Sequence, residues 1–465
     1  MTSLAETTFQ QVLPDPLARR RKSVLGDLLD IRRDPLRHFV EMMRRHEDAV
    51  SYDIGLDRVV MLNAPRLIRH VLQDNHRNYV KSRFYEPLRP ILGNGIFLSE
   101  GDEWLAQRRS ASPAFAGAQF ERMARDIVAA TDETLDRWED YARAGTAFDL
   151  SMEMMRLALD CAVRALLSIR LEDDHRAIYG ALTALLRRAE RRVWTPLPPR
   201  ILDVFDRRGL KSLRILDEVT GQVIADRRAM ADPPDDLLTH LVRTHEGDGP
   251  DDATNQRLLR DQVLSIILSG HETTAIALGW VFALLSRNPD VARRLTEEVD
   301  RVLEGRPPNY ADLKSLPYCR MVFEESMRLY PPVWTISRRA LADDSMDGVT
   351  VKAGQTVMAC AYAVHRNPSL WENPEGFDPT RFLPDRIEAR ERYAYFPFGG
   401  GPRTCLGNRF AQMESCLILA MTAQRFRLDL VPGRPVTPEP MITLRPRDGI
   451  WATAHTVKKK ERLAA

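Results

Sequence analysis

The sequence has little cysteine. Its five cysteines are far apart, at positions 161, 319, 360, 405 and 416. No two of them form a C-x-x-C pair, so neither a disulfide framework nor a cysteine-rich zinc site is indicated. Isolated cysteines suit a reducing compartment, and we expect a cytoplasmic protein.

An excess of charge of one sign is also lacking. Lysine and arginine number 67 and aspartate and glutamate 65, which gives a formal net charge of +2. Proteins that bind nucleic acid usually carry a basic excess, so we expect no nucleic-acid partner. Two local basic runs, at residues 19–22 and 458–460, are interpreted as solvated tails.

Residues 1–14 have no apolar stretch long enough for a signal peptide, and we expect no membrane anchor. A later segment, residues 263–286, is apolar almost throughout and long enough to cross a bilayer. Its middle reads Ser-Gly-His-Glu-Thr-Thr over residues 269–274, and ionisable groups are costly at the centre of a membrane. We therefore predict a long helix buried in a globular core.

Helical periodicity dominates from residue 65 to about residue 328, without internal repeats or a low-complexity linker. We predict a mainly α protein with a small β-rich portion (α+β), folded as one domain over residues 1–465 with a flexible tail at 1–30. The longest helix is expected at 255–287, ending before Pro289. Glycine and hydroxyl side chains should loosen its middle turn. Short strands are predicted at 50–54, 59–62, 349–351, 356–360 and 426–431.

Cys405 differs from the other cysteines in its surroundings, which read Phe-Pro-Phe-Gly-Gly-Gly-Pro-Arg-Thr-Cys-Leu-Gly over residues 396–407. The glycines allow a tight backbone that approaches a flat ligand. A helix is predicted to begin just afterwards, and amides near a helix start stabilise the thiolate that iron requires. Arg403 is placed to bond a carboxylate such as a haem propionate. The other four cysteines are interpreted as packing residues.

This segment resembles the haem-binding signature of the cytochrome P450 family, F-x-x-G-x-R-x-C-x-G. Phe398, Gly401, Arg403, Cys405 and Gly407 stand at its fixed positions. The resemblance implies the cytochrome P450 fold, in which a long central helix lies over a haem held by a cysteine loop. It also implies haem b (iron protoporphyrin IX), with Cys405 as the metal ligand and Phe398, Arg403 and Gly407 as cofactor-binding residues.

Glu325 and Arg328 lie three residues apart on one predicted helix. Taken alone, this spacing is that of a surface ion pair worth a few tenths of a kcal/mol. The resemblance implies instead a buried pair completed by Arg381, which holds the segment that carries the cysteine loop. We assign these residues a structural role.

Trp104 and Arg108 match the W-x-x-x-R pattern of the family's helix near the haem edge. The resemblance implies that they bind a propionate. Arg339 is a third candidate for this role. Its neighbour Arg338 is an alternative, and the sequence does not separate the two.

Glu272 and Thr273 stand where the family has its acid–alcohol pair, and Ser269 replaces the usual Ala or Gly. The resemblance implies that the pair manages the two protons that O–O cleavage consumes. His271 points about 100° away from Glu272 around the helix, and we interpret it as a core histidine.

The function expected from this resemblance is insertion of one oxygen atom from O₂ into a hydrophobic small molecule, by hydroxylation or epoxidation. We expect a monomer without a fused reductase, supplied with electrons by a ferredoxin or flavodoxin and its reductase. Exposed cations such as Arg109 and Arg409 should steer an acidic donor. One alternative is a peroxide-using haem-thiolate enzyme, which would not need the acid–alcohol pair. The other is a non-catalytic haem sensor or ligand-binding protein, although no signalling domain is apparent.

The resemblance implies that the substrate pocket draws on residues 84–97, 179–210 and 333–336. These stretches are mostly apolar, which predicts a terpenoid, fatty acid, steroid or polyketide. The candidate lining residues include Phe84, Leu88, Trp194, Leu197, Val333 and Trp334.

Overall fold

The computed structural model describes residues 28–54, 57–170, 175–193, 207–246 and 253–457. Both basic runs and the pocket candidates Trp194 and Leu197 lie outside these ranges. Residues 1–27 of the expected tail also lie outside these ranges, and its last three residues are part of a helix that begins at Leu28.

Helices make up most of the described chain, as the periodicity predicts. In chain order they are α1 Leu28–Arg33, α2 Pro35–Arg45, α3 Pro65–Arg69, α4 Arg89–Leu92, α5 Gly101–Ala111, α6 Gly117–Ala144, α7 Leu150–Leu167, α8 His175–Val193, α9 Arg207–Ala229, α10 Leu237–Glu246, α11 Ala253–Arg287, α12 Pro289–Leu303, α13 Pro317–Leu329, α14 Ala361–Val364, α15 Pro384–Ala389 and α16 Asn408–Arg425.

The strands are short and lie toward the two ends of the chain. They are β1 Ala49–Ile54, β2 Asp57–Leu62, β3 Tyr79–Lys81, β4 Phe148–Asp149, β5 Ile336–Ala340, β6 Asp344–Met346, β7 Val349–Val351, β8 Thr356–Ala359, β9 Phe426–Leu430, β10 Pro438–Pro440, β11 Leu444–Pro446 and β12 Trp451–Thr456. The predicted mainly α fold with a small β-rich portion is therefore confirmed.

The largest sheet has five strands in the order β1-β2-β8-β5-β3. β2 and β8 run parallel, with Val59 paired to Thr356, and the other neighbouring strands are antiparallel. A second sheet has the order β4-β12-β9, and β10 and β11 form a two-stranded hairpin near the C-terminus. Each of the two larger sheets thus joins segments that are distant in sequence.

The central helix α11 is 35 residues long and ends where Pro289 opens α12, close to the predicted bounds. It is the one helix among the described residues that is long and apolar enough to cross a membrane. Its apolar window is 83% buried inside the structure. α11 packs against α7 and, near its C-terminal half, against α13 and α16. The prediction of a buried core helix is confirmed.

The middle of α11 remains helical, so the expected loosening does not break it. Three hydroxyl side chains there bond to carbonyl oxygens one turn earlier: Ser269 to Ser265 at 2.5 Å, Thr273 to Ser269 at 2.7 Å and Thr274 to Gly270 at 3.3 Å. Such bonds add a second donor to carbonyls that already serve the helix and slightly weaken its regular ladder.

Candidate active site

The loop before α16 wraps the backbone closely around Cys405. The Cys405 N–H donates to the carbonyl of Phe398 at 2.9 Å, and Thr404 N–H donates to the carbonyl of Gly401 at 3.1 Å. Gly401 has a φ of +63°, and a Cβ at this position would overlap the carbonyl oxygen of Leu72. Only glycine satisfies both conditions, so the motif's glycine is needed to bring the loop against residues 70–74.

Cys405 is exposed, whereas the other four cysteines are buried. Burial nevertheless raises the pKa of its thiol, while the Gly407 N–H and the charge of Arg108 lower it. A side chain that lies deep in the protein and still has accessible surface faces an internal cleft. Cys405 alone among the cysteines therefore offers its sulfur to a ligand in such a cleft. Gly407 caps α16, which begins at the next residue.

Cationic side chains surround the other side of this loop. Arg403 donates to the carbonyl of Ser99 at 2.8 Å and forms an ion pair with Glu100. Its guanidinium stacks over the indole of Trp104, 4.1 Å from the ring centroid. Arg108 donates to the carbonyl of Thr404 at 2.8 Å. The sequence-predicted residues Trp104, Arg108 and Arg403 therefore meet beside Cys405.

The structure corrects the choice between Arg338 and Arg339. Both lie on β5, where successive side chains point to opposite faces of the sheet. Arg338 is buried, whereas Arg339 is exposed. Arg338 also pairs in register with Lys81 of β3, so the two side chains share a face. Arg338, and not Arg339, therefore lies near Lys81 and Arg403.

Lys81 was not anticipated from the sequence. Burial, with the nearby charges of Arg338 and Arg403, holds its pKa well below the usual value. The same causes lower the pKa of Arg403 to about 10: burial first, then Arg338 and Arg108, against the opposing effect of Glu100. These shifts show that the cations repel one another inside the protein.

We define the cationic cluster as Lys81, Arg108, Arg338 and Arg403. Among the described residues, Glu100 is the one carboxylate whose charge opposes the lowered pKa of both Lys81 and Arg403. Buried charges need partners of opposite sign, so the cluster fits additional anionic groups. The two propionates of a haem are such groups, and the thiol of Cys405 is a suitable iron ligand. The residues present therefore fit a haem.

The predicted triad of Glu325, Arg328 and Arg381 is present. Arg328 forms two bonds to the Glu325 carboxylate, at 2.7 and 2.8 Å, and Arg381 approaches it at 3.3 Å. The side chains of Glu325 and Arg328 are 0% exposed. Arg328 also donates to the carbonyls of His365, Pro374 and Gly376, on the segment leading to the cysteine loop. These contacts are those expected of a structural clamp.

Glu272 and Thr273 both lie at the middle of α11, but their functional groups diverge. The Thr273 hydroxyl bonds to the Ser269 carbonyl. The Glu272 carboxylate instead accepts from Thr443 at 3.1 Å and from Arg445 of β11. His271 is buried, bonds to the Ile267 carbonyl at 3.2 Å, and has a pKa lowered by burial. Its interpretation as a core histidine is supported.

Four of the pocket candidates lie within the described residues, and all four pack against other side chains. Trp334 is buried, donates its indole N–H to the carbonyl of Met441 at 2.7 Å and packs on Phe39 with ring centroids 5.9 Å apart. Both Trp334 and the partly buried Phe84 pack against the same cluster near the N-terminus. Leu88 lies in the main core with α11, and Val333 is partly buried against the cluster that contains Ile336.

The residues that sequence reasoning missed come from segments far from the motifs. Lys81 and Arg445 lie on short strands, where a lone cation gives no signal of its own. The available signal for Arg338 was strand alternation, because a buried strand with two adjacent arginines must turn one of them inward.

Comparison with known proteins agrees with this geometry. The family model for cytochrome P450 matches residues 16–451. The chain is 36% identical over 425 residues to cyclooctat-9-en-7-ol 5-monooxygenase of Streptomyces melanosporofaciens, covering 88% of each chain. It is 33% identical to pentalenene oxygenase of Streptomyces avermitilis, covering 90% of this chain and 93% of that one. Cyclooctatin synthase of Streptomyces melanosporofaciens is also 33% identical, with 90% and 91% covered.

The family match covers nearly the whole chain, and the structure has an accessible cysteine beside a cluster of buried cations that fits haem propionates. The chain belongs to the cytochrome P450 family and is a haem-dependent monooxygenase that acts on hydrophobic small molecules.

Proposed function

We propose that this protein is one haem domain that binds haem b, with Cys405 as its only protein ligand to iron. The observation that carries the proposal is the pairing of an accessible Cys405 with the cationic cluster of Lys81, Arg108, Arg338 and Arg403. Trp104 completes the propionate site through its stacking on Arg403. Phe398 supports the loop, since its carbonyl accepts the Cys405 N–H, and Gly407 starts the helix behind it.

Bound haem supplies the activation of dioxygen, assisted by electron donation from the thiolate. The chain's own contribution is to manage protons and to shape the pocket. Thr273, on the more accessible side of α11, holds a hydroxyl that can orient water. Glu272 is the nearest carboxylate along the helix and serves as the proton donor that supplies it. The product is a hydroxylated or epoxidised substrate and one molecule of water.

We propose a terpenoid as the substrate class. Two relatives at 33–36% identity are named for cyclooctat-9-en-7-ol and pentalenene, which are terpenoids. Phe84, Leu88, Val333 and Trp334 are the candidates for the pocket wall. An apolar, shape-selective pocket suits such rigid hydrocarbon skeletons, since they offer few polar groups for recognition.

Electrons would come from a separate acidic ferredoxin or flavodoxin with its reductase. A surface cleft of about 520 Å³ opens beside the cysteine loop, lined by residues that include Tyr393, Gly400 and Thr404. Arg109, Arg392 and Arg409 are exposed in the same parts of the chain. A donor that docks there would reach Cys405 through the cysteine loop of this protein. We propose that the protein acts as a cytoplasmic monomer without a membrane anchor.

Turnover with a surrogate ferredoxin, ferredoxin reductase and NADPH tests the function. We expect NADPH consumption that depends on a cyclic terpene alcohol or hydrocarbon. The product should be 16 mass units heavier than the substrate, with on the order of one product molecule formed per NADPH consumed. Product formed only with hydrogen peroxide would favour the peroxide-using alternative. Ligand-induced spectral change without product in either assay would favour a haem sensor.

A further inference from the structure

The Glu272 carboxylate is held by two residues that lie about 170 positions further along the chain. The Thr443 hydroxyl and the Arg445 guanidinium both donate to the same oxygen, Oε1. Among the described residues no donor to the second oxygen, Oε2, is found. One oxygen is thus anchored, and the other remains for a proton or a water molecule.

The anchor itself is firmly attached. The hairpin of β10 and β11 is held by Leu444, whose N–H donates to the Pro332 carbonyl at 2.8 Å. The Leu444 carbonyl in turn accepts the indole N–H of Trp280, on α11, at 2.9 Å. Trp280 lies two turns along the same helix from Glu272. Hairpin and helix are therefore joined at two points, and the position of Arg445 relative to Glu272 is fixed.

Glu272 and Arg445 are largely but not completely buried. Glu272 exposes 5% of its side chain and Arg445 13%. A buried carboxylate without a cation carries a large desolvation penalty, and a nearby guanidinium offsets it while fixing the direction of the carboxylate. Arg445 is the more accessible partner of the pair.

We propose that Thr443 and Arg445 are positioning residues, which anchor Oε1 of Glu272 to the C-terminal hairpin and so direct Oε2 toward proton transfer along α11. The inference rests on the proposed monooxygenase function and names the residues that orient its acid. It also assigns the hairpin, otherwise an edge of the fold, a part in proton delivery.

The main test is the coupling of NADPH consumption to product in Arg445→Met. Loss of the guanidinium frees the carboxylate to rotate, so product per NADPH should fall roughly tenfold, less than the 100-fold or greater loss typical when an acid–base group is removed. Released hydrogen peroxide should rise accordingly. Arg445→Lys keeps a charge within reach and should recover most of the coupling, and Thr443→Val should show a smaller loss than Arg445→Met.

Arg447→Met is the matched control. Arg447 follows the same hairpin, and its ion-pair contact is with Glu439, at 3.8 Å on the surface. The substitution removes the same charge from the same segment, and coupling should stay at the wild-type level. Turnover driven by hydrogen peroxide should be similar in Arg445→Met and wild type, because peroxide brings its own protons.

A second readout does not depend on turnover. In urea unfolding of the haem-loaded protein, Arg445→Met should lower the midpoint, since it leaves a buried carboxylate without its cation. Adding Glu272→Gln should recover much of that loss, as expected of two residues that act through one contact. Independent effects of the two substitutions would contradict the proposal.

The outcomes separate this inference from the proposed function. Uncoupling in Glu272→Gln together with wild-type coupling in Arg445→Met would overturn the inference alone. Wild-type coupling in Glu272→Gln would contradict the proposed role of Glu272 as the proton donor. If Arg445→Met does not fold, Thr443→Val and Arg445→Lys decide the matter through the same coupling ratio.

Discussion

The cationic cluster shows how single charges prepare the protein for its cofactor. Lys81, Arg338 and Arg403 lie together in the interior, and burial, followed by their mutual repulsion, lowers the pKa of Lys81 and Arg403. Such an arrangement is unfavourable for the protein alone and is relieved by anionic ligands. Under the proposed function, we expect the cluster to raise the affinity for haem at some expense to the stability of the haem-free chain.

Arg338→Leu and Arg339→Leu form a matched pair of substitutions at adjacent positions. We expect Arg338→Leu to weaken haem retention by about 1–3 kcal/mol, the range for a charge-assisted hydrogen bond, because it removes a buried propionate partner. Arg339→Leu should retain haem as the wild type does. The measurement is the rate of haem transfer to an excess of apomyoglobin. Equal rates for the two variants would contradict the assignment of Arg338.

Cys405→Ala tests the iron ligand. Reduced wild-type protein under carbon monoxide should show the strongly red-shifted Soret band of thiolate ligation, and Cys405→Ala should lack it. The control is Cys161→Ala, whose thiol is buried on α7 and should not affect the band. A Cys405→Ala protein that kept the band would refute the ligand assignment.

Thr273→Ala tests proton management on α11. Loss of the hydroxyl should divert oxygen to released peroxide, so product per NADPH falls while haem binding and substrate affinity are retained. Thr274→Ala is the control, because this hydroxyl lies about 100° around the helix and bonds to Gly270. Hydrogen peroxide should partly rescue Thr273→Ala. Unchanged coupling would favour the peroxide-using alternative.

At the scale of secondary-structure elements, the cysteine loop depends on one glycine for two reasons at once. Gly401 adopts a left-handed φ of +63° and touches the Leu72 carbonyl, whereas Gly354 has a φ of +82° with nothing near its Cβ position. Both positions require a left-handed backbone, but an added Cβ would meet other atoms only at Gly401. The loop is thus fitted against residues 70–74 as well as around its ligand.

We expect Gly354→Ala to cost about 1–2 kcal/mol, the penalty of a left-handed alanine. Gly401→Ala should cost more, because the added methyl also displaces the loop from Leu72. Urea unfolding and haem content measured for both variants provide the test. A Gly401→Ala protein as stable as Gly354→Ala would mean that the loop relaxes without loss.

Sequence reasoning located the elements whose signals are contiguous. The cysteine loop, the Glu325–Arg328 pair and α11 each lie within a run of about ten to thirty-five residues, so spacing and periodicity describe them. Arg338 and Lys81 meet through strand register, and Glu272 meets Arg445 across most of the C-terminal half of the chain. Pairings of this kind are set by tertiary packing.

At the scale of the whole molecule, the net charge is near zero, but individual cations are exposed on the segments next to the cysteine loop. Arg109, Arg392 and Arg409 are exposed around the cysteine loop, although acidic and basic residues nearly balance overall. A local field of this kind governs the rate at which a charged partner associates. Donor docking should therefore depend on ionic strength.

We expect reduction by an acidic ferredoxin or flavodoxin to slow as salt rises, since screening shortens the range of attraction to about 8 Å at physiological ionic strength. Arg109→Gln and Arg409→Gln should lower the rate at low salt and flatten its salt dependence. The lysine variants at both positions keep the charge and should behave as wild type. Stopped-flow reduction across a salt series is the measurement. A rate that does not vary with salt would place the docking surface elsewhere.

The five-stranded sheet also has a consequence for biosynthesis. β2 lies beside β8, and their paired residues, Val59 and Thr356, are about 300 positions apart. At translation rates of about 5–20 residues per second, the first strands wait roughly 15–60 s on the ribosome for this neighbour. Lys81 and Arg403 are separated similarly, so the cationic cluster is assembled only when synthesis is nearly finished. During that interval β1 and β2 present an open edge to other chains, which makes nascent-chain chaperones important for the yield of active enzyme.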